Sequence, residues 1–365
     1  MIPIIDKLPT YDKRIIVTGA AGFIASHLAI RFVQNYPNNY IVTYDKLDYC
    51  ASMRNLDSIK DAPNHKFIKG DLLDYTKLKS VLMEEKIDHI VHLAAQTHVD
   101  NSFGNALTFT ENNVLGTHTL LEAARECGNI VKFVHCSTDE VYGTSIDKDE
   151  PSGEDAALMP TNPYAASKLA AECIVKSYLT SYNIPIIITR GNNVYGTHQF
   201  PEKLIPKFII RLLKGQKLCM HGNGSNKRTY LYVDDMARAF DVVLHKGEIG
   251  KVYNVAGPHE YTNLDVSKLL LSMMKPDEDP MDHIEFVDDR PFNDVRYNIQ
   301  DNAIRALGWR YDVQLDEGLR RTVNWYIENW QTHWDQDITT ALLAHTRMMG
   351  DGNKLSAITL DAMTD

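Results

Sequence analysis

Cysteine is scarce and scattered in this 365-residue chain: Cys50, Cys127, Cys136, Cys173 and Cys219, an odd total with no CxxC pair. That spacing supplies neither a zinc cluster nor a disulfide framework, and it suits reduced thiols. No stretch approaches the roughly 18 consecutive apolar residues that a membrane-spanning helix requires. Positive charge is short as well. The chain has 38 Lys and Arg against 48 Asp and Glu, a net charge of -10, which excludes a nucleic-acid surface because phosphate recognition depends on clustered basic side chains. The start, MIPIIDKLPTYDKR, lacks the basic and long apolar regions of a secretory signal, so the expected location is the cytoplasm. Three signatures are missing too: HExxH for metal-assisted hydrolysis, GxSxG for a nucleophilic serine and a Walker A lysine loop for a nucleoside triphosphatase. No metal is expected.

What is present is alternation. From Arg14 onward the short β-rich runs RIIVTG, YIVTYD, HKFIKGD, HIVHLAA, KFVHCSTDE and IPIIITRG are separated by stretches with helical spacing. This predicts βαβ units and an α/β fold with a Rossmann-type, doubly wound parallel sheet. After Arg190 the rhythm loosens into a segment rich in Gly, Asn, Pro and His, before TYLYVDDMARAF and KVYNVAG resume it. The expected organisation is a dinucleotide-binding domain from residues 1–190 and about 229–258, interleaved with a smaller C-terminal substrate-binding domain from 191–228 and about 259–330. Residues 331–365 read as a tail in which TTALLAHTRMM predicts one helix, while GDGNK and LSAITLDAMTD predict partial disorder.

The first run enters TGAAGFIASH, which spaces Gly19, Gly22 and Ala25 as G-x-x-G-x-x-A ahead of a helical pattern. Gly19 would turn the chain tightly, Gly22 would admit a pyrophosphate against the backbone, and Ala25 would let helix and strand pack closely. Asp45 ends the second run about twenty residues further on, where an acid binds a ribose 2′-hydroxyl and repels a 2′-phosphate. NAD is thus expected rather than NADP. Asp71 closes IKGD and is placed to reach the adenine edge; on spacing alone an ordinary strand-end turn accounts for it equally well.

The stretch NPYAASKLAAECIVKSYL sets Tyr164 and Lys168 on one helix face. After a dinucleotide motif, this pair points to hydride transfer, with Tyr164 handling the proton of a carbinol. A tyrosine must fall roughly three units from about 10 to act as a base near neutrality. Lys168 and a positive nicotinamide ring would supply that field. STDEVYG follows the fifth run, at a strand's carboxyl end, where open α/β sheets bind ligands. Alcohol oxidation needs a polar group such as Thr138 but has no use for the adjacent Asp139 and Glu140. An elimination does. Once a hexose is oxidised at carbon 4, one carboxylate removes the hydrogen of carbon 5 and a carboxylic acid protonates the departing hydroxyl of carbon 6. Neighbouring carboxylates can be driven to different pKa values and divide those tasks. From the tripeptide alone, a cap formed by Thr138 and Asp139 beside a solvated Glu140 explains the residues as well.

Together these stretches closely resemble the nucleotide-sugar 4,6-dehydratases of the dTDP-glucose type, within the extended short-chain dehydrogenase/reductase superfamily. TGAAGFIASH, DKLDYCASMRNL, AAQTHVDNS, STDEVYG, YAASK, NNVYGTHQFPEKLIP and DRPFNDVRY match in order and spacing between Arg14 and Trp330. The resemblance implies Tyr164 as base for the first oxidation, Lys168 as its electrostatic partner and Thr138 beside the sugar 4-oxygen. It also implies Asp139 as acid toward the 6-hydroxyl and Glu140 as base at carbon 5. Bound NAD would be recycled in each turnover and touched by Gly19, Gly22, Phe23, Ile24, Asp45, Asp71, Leu72, Ala94, Tyr164 and Lys168. The implied substrate is a nucleoside-diphosphate sugar, dTDP-glucose or UDP-glucose, converted to the 4-keto-6-deoxy sugar nucleotide. It would be held by His98, Asn193, Glu202, Lys203, Arg228, Arg290 and Asn293; the arginines suit a diphosphate, although taken singly each charged residue is an ordinary surface group. Asn113 in NNVLGT matches a structural and active-site position of the superfamily. A homodimer through helices near residues 107–127 and 162–181 is implied as well.

Many bacterial relatives carry AAESHVD and DRPGHDRRY where this chain has AAQTHVD and DRPFNDVRY. The second departure lies near the nucleotide pocket and leaves thymine against uracil open, since one methyl is worth only about 1–3 kcal/mol in a pocket. Alternatives remain at this level. A 4-epimerase would share Gly19, Tyr164 and Lys168 but has no need of Asp139 and Glu140. A GDP-mannose dehydratase usually prefers NADP, which Asp45 disfavours. A non-catalytic NAD-binding scaffold would be expected to have lost active-site side chains that are all present here.

Overall fold

The computed structural model describes residues 11–144, 150–289, 294–344, 346–349 and 354–357. The six predicted β-rich runs become β1 (Lys13–Thr18), β2 (Asn39–Asp45), β3 (His65–Lys69), β4 (His89–His92), β5 (Lys132–Thr138) and β6 (Ile186–Gly191). Three shorter strands follow, β7 (Asn193–Tyr195), β8 (Leu218–His221) and β9 (Lys227–Tyr232), before β10 (Val252–Val255) returns to the central sheet. That sheet is parallel, in the order β10-β6-β5-β4-β1-β2-β3. Strands covered on both faces must be apolar nearly throughout, and Ile15, Ile16, Val17, Ile90, Val91, Phe133 and Val134 are fully buried. Each such side chain contributes about 1.5–3 kcal/mol.

The helices are α1 (Phe23–Asn35), α2 (Tyr75–Glu84), the short α3 (Val99–Gly104) and α4 (Ala106–Phe109), then α5 (Gly116–Cys127) and α6 (Pro163–Tyr182). They continue with α7 (Leu204–Leu213), α8 (Val233–Lys246), α9 (Asn263–Met274), α10 (Asn302–Ala306) and α11 (Leu315–Asn329). Leu28 and Phe32 of α1 join Phe240 and Val243 of α8 on one face of the sheet. Leu78 of α2, Leu120 and Leu121 of α5 and Val175 of α6 cover the other. Among the described residues no helix is long and apolar enough to cross a membrane.

A second core gathers α7, α9 and α11 around β8 and β9. The remaining strands are β11 (Glu260–Thr262), β12 (Ile284–Val287), β13 (Thr346–Met349) and β14 (Lys354–Ala357). β9, which carries TYLY, pairs with β7 and β11 outside the central sheet, whereas β10, from KVYNVAG, joins it. TTALLAHTRMM is not the single helix expected: Thr340–Leu342 form a 3₁₀ turn, and β13 pairs antiparallel with β14. The reason is competition for backbone acceptors. Arg211, Lys207 and His221 donate to the carbonyls of Leu342, Leu343 and Ala344, groups that a continuing helix would have used itself. The disorder expected for the last residues falls mainly outside the described residues.

Candidate active site

Chain direction across the sheet reverses between β1 and β4, and carboxyl ends of strands at such a switch point frame a ligand crevice. A cavity of about 310 Å³ lies there. Gly19 leaves β1 with φ +71°, and a Cβ on it would stand 2.7 Å from the Ala94 Cα. Glycine therefore lets the first turn press against the segment after β4. Gly22 begins α1 without a side-chain cap, which leaves first-turn amides available to an anion. Phe23 and Ile24 continue this wall, with Asp45, Asp71, Leu72 and Ala94 beyond. Asp45 Oδ2 accepts from Ala21 N at 2.9 Å and its Oδ1 from Leu47 N at 2.7 Å; burial nevertheless pushes this carboxyl up. Asp71 Oδ1 accepts from Leu73 N at 3.0 Å. A glycine cradle that a Cβ would fill, beside a carboxylate at the end of β2, fits the pyrophosphate and ribose of a dinucleotide.

α6 starts cleanly because Asn162 Oδ1 accepts from Ala165 N at 2.8 Å and Pro163 occupies its first turn. Helical spacing then aims Tyr164 and Lys168 into the cavity together. Lys168 Nζ donates to Cys136 O at 2.6 Å, and burial draws its ammonium down. Asn113 lies in a π-helical turn, Thr110–Leu115. It donates to Ser167 Oγ at 2.9 Å and Gln96 O at 3.0 Å while accepting from Gln96 N at 2.7 Å. The expected lowering of Tyr164 is not what the protein's own groups produce. Burial pushes the phenol well above its usual range, the Glu140 carboxylate adds to that, and the hydrogen bond with Thr138 offsets only part.

β5 ends at Thr138, and a 3₁₀ turn, Asp139–Tyr142, follows. Thr138 Oγ1 accepts from Glu140 N at 3.3 Å and donates to Asp139 Oδ1 at 3.2 Å, so the capping role exists, yet both carboxyl groups line the cavity. Asp139 is 2 % exposed. Burial first, and Glu140 second, push it up to about 7; Asn192 Nδ2 donates to its Oδ2 at 2.6 Å. Glu140 Oε2 accepts from Asn162 Nδ2 at 3.0 Å and lies 3.3 Å from the Tyr297 hydroxyl, which also meets Asp294. Behind the turn, Arg190 of β6 forks onto Glu172 of α6 at 3.0 and 2.7 Å and donates to Tyr142 OH at 2.7 Å. Sequence reasoning had not singled out Asn162, Asn192 or Tyr297. Asn162 carried a signal as an N-cap before proline, and Tyr297 closes the DRPFNDVRY landmark; nothing in the sequence marks Asn192 as the partner of Asp139.

Asn193, Glu202 and Lys203 line the remaining wall. Tyr49 OH donates to Glu202 Oε2 at 2.9 Å, Asn101 Nδ2 donates to Tyr49 OH at 3.1 Å, and Lys203 Nζ donates to Thr97 O at 2.8 Å. His98 is set behind this wall. It caps α3 by accepting from Asn101 N at 3.3 Å, and its Nε2 donates to Glu202 O at 3.2 Å. Arg228 is also set back, its guanidinium 5.0 Å over the Tyr297 ring, though its charge is felt at Asp139. Arg290 and Asn293 lie outside the described residues.

A doubly wound sheet with a glycine turn after its first strand, faced by a helical Tyr–Lys pair, defines an extended short-chain dehydrogenase/reductase. Residues 16–322 match the GDP-mannose 4,6 dehydratase family model. The chain is 51 % identical over 347 residues to the trifunctional UDP-glucose 4,6-dehydratase/UDP-4-keto-6-deoxy-D-glucose 3,5-epimerase/UDP-4-keto-L-rhamnose-reductase of Arabidopsis thaliana, covering 94 % of this chain and 51 % of that one. It thus spans about half the length of that plant relative. It is 49 % identical over 323 residues to the dTDP-D-glucose 4,6-dehydratase of Bos taurus, covering 88 % and 90 %. Among solved structures, the dTDP-glucose 4,6-dehydratase of Streptomyces venezuelae with NAD bound superposes with a TM-score of 0.83 at 39 % identity, covering 88 % of this chain and 99 % of that one. The UDP-glucose 4-epimerase of Thermotoga maritima gives 0.79 at 27 %, covering 87 % and 99 %. The chain belongs to the nucleotide-sugar 4,6-dehydratases of the extended short-chain dehydrogenase/reductase superfamily.

Proposed function

We propose that this chain is an NAD-dependent 4,6-dehydratase of a nucleoside-diphosphate glucose, dTDP-glucose or UDP-glucose. The observation that carries the reading is the Asp139–Glu140 turn: two carboxyl groups share a cavity with a Tyr–Lys pair, and one of them is shifted to titrate near neutrality. Gly19, Gly22, Phe23, Ile24, Asp45, Asp71, Leu72 and Ala94 hold the dinucleotide. Bound there, NAD supplies a hydride acceptor for carbon 4 and, once reduced, a donor back to carbon 6. Tyr164 takes the proton of the 4-hydroxyl, with Lys168 as its electrostatic partner and Thr138 hydrogen-bonded beside it. Glu140, held by Asn162 at 3.0 Å, removes the hydrogen of carbon 5, which the 4-keto group acidifies. Asp139 gives its proton to the 6-hydroxyl, which leaves as water. Asn193, Glu202 and Lys203 face the nucleotide sugar, with Arg228, Arg290 and Asn293 assigned to the same ligand and His98 acting through Glu202. Residues 191–228 and about 259–330 form the nucleotide-sugar-binding domain in this reading.

The chain is read as a homodimer through residues 107–127 and 162–181, a surface on which Leu107 and Leu115 stand 77 % and 51 % exposed. The five cysteines are free, which suits the cytoplasmic location expected from the sequence. Purified protein is incubated separately with dTDP-glucose and UDP-glucose in heavy water, and the sugar is followed by NMR and mass spectrometry. Loss of water, deuterium at carbon 5 and no net NADH are expected; the faster substrate identifies the base. A galactose-configured product would instead support a 4-epimerase, and unchanged sugar a non-catalytic NAD-binding scaffold.

A further inference from the structure

Beyond α11 the chain runs behind the cavity wall, outside residues 16–322 that the family model matches. It is fastened to the second core: Arg211, Lys207 and His221 donate to the carbonyls of Leu342, Leu343 and Ala344 at 2.8, 2.9 and 2.8 Å. Two adjacent residues of this stretch, His333 and Trp334, are each only 7 % exposed, and each backs a different part of the site.

Trp334 meets Phe200 edge to face at 6.0 Å, and Phe200 meets Tyr49 edge to face at 5.5 Å. Tyr49 OH in turn donates to Glu202, so a continuous run of packed rings ends on a cavity carboxylate. His333 leads elsewhere. Its Nε2 donates to Asn55 Oδ1 at 2.6 Å, and its carbonyl accepts from Ser52 Oγ at 2.8 Å. Asn55 Nδ2 and Ser52 N both donate to Ala21 O, at 2.8 and 3.0 Å, and Ala21 N is the donor to Asp45 Oδ2. Close-packed interiors transmit small displacements, and a site held within a fraction of an ångström depends on the shell behind it.

We infer that His333 and Trp334 are positioning residues that act on separate ligands. Trp334 fixes the Tyr49–Glu202 wall toward the nucleotide sugar, and His333 fixes the glycine turn and Asp45 toward the dinucleotide. The identity of the two ligands rests on the proposed function. Among the described residues the Trp334 indole N–H has no hydrogen-bond partner, so its contribution is the ring face and edge, and phenylalanine supplies most of that.

The test compares wild type with Trp334→Ala, Trp334→Phe and His333→Ala, reading NAD affinity by calorimetry and KM and kcat with the preferred nucleotide sugar. Trp334→Ala is expected to raise KM about tenfold with a much smaller change in kcat and in NAD affinity, and Trp334→Phe to recover most of that loss. His333→Ala is expected to weaken NAD about fivefold or more while moving KM far less. Should Trp334→Ala not fold, Trp334→Leu carries the same test, keeping the core filled while withdrawing the ring edge from Phe200. If the variants move both readouts together, or leave both at wild-type values, the positioning roles are overturned. A wild type that binds neither NAD nor a nucleotide sugar overturns the functional reading itself, and with it this inference.

Discussion

Asp139 acquires acid character from where its carboxyl sits. Its ordinary value of 3.8 rises to about 7, chiefly because the group is buried and secondarily because Glu140 is beside it. Below 3.8 the folded and unfolded chains both hold this proton. Between 3.8 and 7 only the folded chain does, so stability falls as pH rises through that window and is level above it. Removing the charge with Asp139→Asn should therefore stabilise the protein at pH 8 relative to wild type, by up to about 4 kcal/mol, with the gap closing toward pH 4. Urea unfolding of both proteins at the two pH values measures this; a gap that does not depend on pH would show that burial does not shift this carboxyl. Glu140→Gln tests the partner role. It should retain reduction of bound NAD by substrate while abolishing exchange of the carbon-5 hydrogen with solvent, and wild-type exchange would remove Glu140 as the base.

α6 shows how one element serves two ends. The Asn162 carbonyl oxygen caps the helix while its amide nitrogen holds Glu140. Asn162→Ala loses both and should cost about 1 kcal/mol of stability as a missing cap. Asn162→Ser keeps an acceptor for the helix but cannot reach Glu140, so stability should stay near wild type while carbon-5 exchange slows by roughly ten- to a hundredfold in both variants, the worth of one hydrogen bond to a charged group. Wild-type exchange in the serine variant would reduce Asn162 to a cap. At this scale much was legible in advance. Tyr164 and Lys168 share a face because the helical period requires it, and the six strands announce themselves because residues such as Ile90 and Val134 are buried on both sides of the sheet. The segment after α11 was not legible, because its path is decided by Lys207, Arg211 and His221, which take its carbonyls from far away in sequence.

The whole molecule adds what no local window holds. Asn192 reaches Asp139 and Tyr297 reaches Glu140 across separations of 53 and 157 residues, so the surroundings that set the two carboxyls apart are assembled only when distant segments meet. The fold also buries histidines without charge, two of them, His92 and His135, on central strands of the sheet. Burial lowers His92 to about 3 and His198 to about 2, and it pushes His135, neither of whose ring nitrogens has a partner among the described residues, well below 6.5. A histidine held low when folded contributes stability above 6.5 that is lost as the pH falls, because only the unfolded chain then takes up the proton. Asp139 works the other way between 3.8 and 7, and Asp45, raised by burial, works with it. Burial also lowers His65, His98 and His333, so between pH 5 and 6 the histidine protons taken up on unfolding outnumber those that these carboxyls give up. Stability should therefore fall as the pH is lowered from 6 to 5. Urea midpoints at pH 5 and 6 measure the slope directly, and adding Asp139→Asn should steepen it by about one proton, since that variant removes an opposing group and leaves the histidines in place. A flat profile would mean that these imidazoles are protonated in the folded chain, which would require partners that the buried ring of His135 does not have among the described residues.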